Sequence, residues 1–69
     1  SEVGRAKLIS ETKSKLAELL FENNKVNKEL SDLKEKQTEL EELSEKYKEG
    51  LLSERTYKIL AAQVSNADS

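Results

Sequence analysis

Sixty-nine residues, 35% apolar and 38% charged with a net charge of −2, carry too little apolar material for an independent globular core of ordinary size. Cys, His, Trp, Met and Pro are all absent, which excludes thiol and imidazole chemistry, zinc sites built on Cys and His, and disulfide frameworks. Association with another chain is the remaining source of stability.

One uninterrupted helix is predicted from Val3 to Glu49. No proline interrupts it, and Lys, Glu and Leu, all good helix formers, fill the interval. At about 1.5 Å per residue it is a rod of roughly 70 Å. Glu11 and Lys15, Asp32 and Lys36, and Glu42 and Lys46 stand four apart in the favoured order and are expected to pair along its surface. With Val26 at heptad position d, the a positions are Ile9, Leu16, Asn23, Leu30, Gln37 and Ser44, and the d positions are Thr12, Leu19, Val26, Leu33, Leu40 and Tyr47. That pattern is a coiled-coil seam.

The seam favours a parallel homodimer. Asn23 at a can pair its amide with the same residue of a second strand, and other registers leave that amide poorly satisfied. Glu29 would meet Lys34 of the partner strand, and Lys36 would meet Glu41, both attractive g-to-e pairs. Gln37, Ser44 and Thr12 add further polar or small layers, so packing is weak by zipper standards. An antiparallel dimer and a hetero-oligomer are the alternatives, since a seam with several polar layers can suit a different partner. Off the seam, Phe21 at f, Leu20 at e and Ala17 at b make residues 16–21 apolar nearly all round. A dimer does not require this; it is either an isolated exposed aromatic, or a docking patch for another protein or for a third or fourth helix.

Gly50 is expected to end the first helix, because continuing the heptads places Glu54 at d and Lys58 at a. Residues 50–53 then form a turn. Ser53 is the expected N-cap of a second helix over 54–65, with Glu54 at its positive end and Leu52 and Tyr57 spaced as a hydrophobic staple. Tyr57, Leu60, Ala61 and Val64 recur with helical spacing and give this helix one apolar face. With Leu52, that face is predicted to fold back on Leu40, Leu43 and Tyr47. Residues 66–69 read as a frayed polar tail.

The stretch from Glu39 to Leu60, ELEELSEKYKEGLLSERTYKIL, contains an amphipathic helix, then Tyr-x-x-Gly-Leu-Leu-Ser, then a Tyr four residues after the Ser. It resembles the coiled-coil hairpin inserted in large serine recombinases, and equally short helical oligomerisation motifs of bacterial proteins. The match covers about a third of the chain. The second helix is much shorter than the first, and no zinc-binding cysteines precede it, both departures from the recombinase pattern. The resemblance implies a hairpin that holds synaptic partners together through protein contacts without touching bases.

No catalytic constellation is evident. Glu41, Glu42 and Glu45 are plentiful carboxylates, but acid-base work needs a pair in a partly desolvated pocket, which a rod does not offer. Gly4 and Gly50 stand alone, so there is no phosphate loop, and the twelve-residue calcium-loop pattern is missing. Residues 1–28 hold six Lys or Arg against four Glu, and residues 29–69 hold six against ten Asp or Glu. Arg5, Lys7, Lys13 and Lys15 are too sparse for a helix that reads the major groove, so direct nucleic-acid binding is not expected. Charges of both signs interleave around the polar face, no apolar run nears the ~20 residues of a membrane span, and no secretion leader is visible. The chain reads as an intracellular, soluble piece of a larger protein, with no cofactor and no metal.

The expected architecture is all-α: a coiled-coil oligomerisation helix over 1–49, a turn and a short fold-back helix. The expected function is self-association, with a side patch offered to another protein. The alternatives are a recombinase hairpin and a long-helix subunit of a heteromeric scaffold or transport complex.

Overall fold

Proline-free sequence rich in Lys, Glu and Leu has no internal reason to stop, and in the computed structural model, which describes residues 1–67, it does not stop for 47 residues. Helix α1 runs Glu2–Lys48 and α2 runs Glu54–Asn66. The protein is all-helical: a long helix followed by a short one folded back against its C-terminal end. Its extents are 74 × 17 × 8 Å. The radius of gyration is 22.4 Å, against about 11 Å for a compact domain of this length.

Local chemistry sets each boundary. The Ser1 hydroxyl accepts the Gly4 N–H at 3.1 Å and caps the start of α1. At the other end Gly50 takes φ +76°, the left-handed conformation that a side chain disfavours. Its N–H donates to the Tyr47 carbonyl at 3.0 Å, and the Leu51 N–H donates to the Lys46 carbonyl at 2.9 Å. These two bonds are the Schellman pattern, which satisfies carbonyls that the helix end would otherwise orphan. Ser53 then opens α2 from extended backbone, its hydroxyl accepting the Thr56 N–H at 3.1 Å.

The fold-back is held by a thin apolar layer. Leu52, Tyr57, Leu60, Ala61 and Val64 of the hairpin's second arm are half-buried, as are Leu40, Leu43 and Ser44 on α1. The Tyr47 and Tyr57 rings stack with centroids 4.8 Å apart and planes 4° from parallel. Among the described residues none is fully buried, so this layer is a contact between two helices and not a closed core.

Polar surface contacts depart from the sequence expectation. Ion pairs form between Lys15 and Glu18, Lys48 and Glu45, and Lys58 and Glu54, not between Glu11 and Lys15, Asp32 and Lys36, or Glu42 and Lys46. Lys36 instead reaches across to donate to the Ala67 carbonyl just past the end of α2. A cation is favourable there because the helix dipole leaves that end negative. Helix α2 also extends one residue beyond the expected end, so Asn66 belongs to it. Ala67, also placed in the expected frayed tail, caps α2, its N–H donating to the Val64 carbonyl; residues 68 and 69 of that tail lie outside the described residues.

Candidate functional site

The candidate site is the apolar stripe of α1, and α2 divides it in two. In the N-terminal part, Ile9, Leu16, Leu19, Val26, Leu30 and Leu33 each leave 47–63% of their surface open to solvent. From Ile9 to Leu33 the stripe is roughly 36 Å long at helical rise. Among the described residues no element covers it: α2 meets α1 on the side of Asp32, Lys36, Leu40, Leu43 and Ser44, where exposure falls.

The polar layers differ from one another. The Thr12 hydroxyl donates to the Leu8 carbonyl at 2.8 Å, so its polar atom is satisfied within its own helix and that layer needs no polar partner. Asn23 is exposed in the middle of the open stripe, where its amide is free to meet another chain. Gln37 is likewise exposed, next to the end of α2.

In the C-terminal part the structure brings together residues that the heptad pattern assigns to a second strand. Leu40 and Ser44 are half-buried against α2, and Tyr47 is stacked on Tyr57 with 39% of its surface left exposed. Lys36 is half-buried and engaged at the end of α2.

No family model, curated protein or solved structure matches this chain. The functional reading therefore rests on the geometry of the stripe and its surroundings.

The side patch is open. Phe21 exposes 69% of its surface, Leu20 is similarly open, and Ala17 is exposed beside them. A shallow hollow next to Phe21 is lined by Lys15, Ala17, Glu18, Leu19 and Glu22, which rims the ring with both signs of charge. Sequence reasoning passed over Leu8, which lines a second hollow with Thr12, Leu16 and Leu19 and widens the stripe at its N-terminal end. Its g position, directly before Ile9, is the signal that could have shown it. Leu51 in the turn and Ile59 on the outer side of α2 are also exposed, and the fold-back does not use them.

Among the described residues no group of His, Cys, Asp or Glu is arranged to hold a metal ion. Among the described residues no helix is long and apolar enough to cross a membrane.

Proposed function

We propose that this chain is a coiled-coil self-association module of a larger protein, forming a parallel homodimer through the stripe from Ile9 to Leu33. The observation that carries this reading is the stripe itself: six large aliphatic side chains at heptad spacing, each about half exposed or more, on a helix with no core of its own. An isolated helix of this composition gains little from propensity, and most helical stability comes from burying an apolar face. A second copy supplies an identical face. Asn23 sets the register and the parallel direction by pairing with its counterpart. Ala17, Leu20 and Phe21 stay outside the two-stranded seam and are offered to another protein.

Sedimentation equilibrium on the chain tests the reading. A dimer is the expected result, and a poorly helical monomer would sink it in favour of the heteromeric reading, in which the second strand is a different protein. Because the chain has no cysteine, Ile9→Cys at the end of the stripe gives a clean check of direction. In a parallel dimer, oxidation should link the two copies at that position, whereas an antiparallel pair would keep the two thiols apart.

The hairpin formed by residues 39–60 supports a second reading, a coiled-coil arm of a large serine recombinase that joins synaptic partners. Here α2 spans 13 residues against 47 for α1, a short return strand for such an arm. The deciding observation is the sequence of the parent protein, which must then contain a catalytic serine domain.

A further inference from the structure

The heptads do not end where the open stripe ends. Leu40, Ser44 and Tyr47 continue the a and d pattern for two more turns of the seam, yet in the structure they face α2. One side of α1 cannot hold both helices. At about 100° per residue, the side facing α2 and the seam centre within about 40° of each other around the α1 axis. Two helices docked there at the usual axis distance would stand only ~7 Å apart, inside the 8–10 Å that packed helices need.

We infer that the face formed by Leu40, Ser44 and Tyr47 is a second half of the self-association surface, and that α2 is an intramolecular stand-in which a second copy of the chain can displace. The inference rests on the self-association reading above. The occupant is a second copy because the seam on this face is the direct continuation of the stripe assigned to that copy, in the same register. Helix α2 holds the position weakly. Its docking residues are half-buried, and its far end is tied by a solvent-exposed Lys36 hydrogen bond to the Ala67 carbonyl. Its advantage is tethering, since a short linker gives it a local concentration in the mM range. The docked hairpin therefore limits the coil to Ile9–Leu33, and release of α2 extends it to Tyr47.

The test uses the full chain and two cysteine positions. Asn23→Cys reports the open part of the seam, and Ser44→Cys reports the part under α2. Each is combined with Leu60→Glu plus Val64→Glu to release α2, and separately with Tyr57→Ser plus Leu60→Ser, which weakens the same contact without adding charge. Far-UV circular dichroism confirms that α1 stays helical. Asn23→Cys should link two copies in every background. Ser44→Cys should link poorly in the parent chain and readily in both released backgrounds, and release should tighten the dimer by about tenfold or more, equivalent to ~1.4 kcal/mol. Equal linking at Ser44→Cys with α2 docked or released, or an unchanged or weaker dimer on release, would overturn the inference while leaving the dimer in place. A chain that sediments as a monomer and does not link at Asn23→Cys overturns the self-association reading and this inference with it.

Discussion

Gly50 and Ser53 are the two residues on which the hairpin depends most, each for a reason independent of packing. A Cβ added at Gly50 meets nothing within 4 Å, so the cost of Gly50→Ala is purely that of forcing φ +76° on a side chain. A loss of about 1–2 kcal/mol is expected, read as a lower urea midpoint for loss of the hairpin, and Gly50→Asn should lose less. Ser53→Ala removes the acceptor for the Thr56 N–H and should cost about 1 kcal/mol, visible as fraying of the first turn of α2 by hydrogen exchange. Both residues were legible in the sequence, because their roles follow from backbone conformation alone. The ion pairs were not. Lys15 can meet Glu11 or Glu18 along one helix surface, both exposed, and nothing in the residue order selects between them. Such pairs contribute little in water, so Lys15→Gln should leave the melting curve almost unchanged.

At the scale of the elements, capping signals placed both helix boundaries within a residue, and the spacing of Tyr57, Leu60, Ala61 and Val64 pointed to the side of α2 that the structure half-buries. The sequence did not say how α1 would divide its apolar stripe. Leu40 and Tyr47 satisfy the heptad rule and also lie opposite a returning helix. A heptad pattern specifies that a side chain wants cover, not whether the cover comes from the same chain. Long-range polar contacts were equally hidden, since the reach of Lys36 to the Ala67 carbonyl depends on where α2 ends. Because the docking layer is thin, Leu60→Ala should loosen α2 by about 1–2 kcal/mol, less than for a fully buried leucine. The measurement is faster amide exchange in α2 with no loss of α1 protection from Leu16 to Leu30.

The whole molecule is a rod with 6117 Å² of accessible surface and none of its described residues withdrawn from water. Small domains are marginal even with a core, so the folded state here is expected to depend on chain concentration. Helicity and melting temperature should both rise with concentration as copies associate; values independent of concentration would argue for a lone helix or a missing different partner. Asn23→Leu should strengthen association while relaxing its specificity, and sedimentation velocity should then show species beyond the dimer. Phe21→Ala should leave the dimer intact, because the ring stands away from the stripe; loss of assembly would place that side inside a larger bundle.

The stacked tyrosines carry a practical consequence. The chain has two tyrosines and no tryptophan, and both tyrosines sit in the one stack that joins the helices. Its near-ultraviolet signal is therefore dominated by the hinge, while the far-ultraviolet signal is dominated by the 47 residues of α1. Opening of the hairpin and melting of the rod have separate optical signatures in the unlabelled protein, and the order in which they change during a titration or a melt can be read directly.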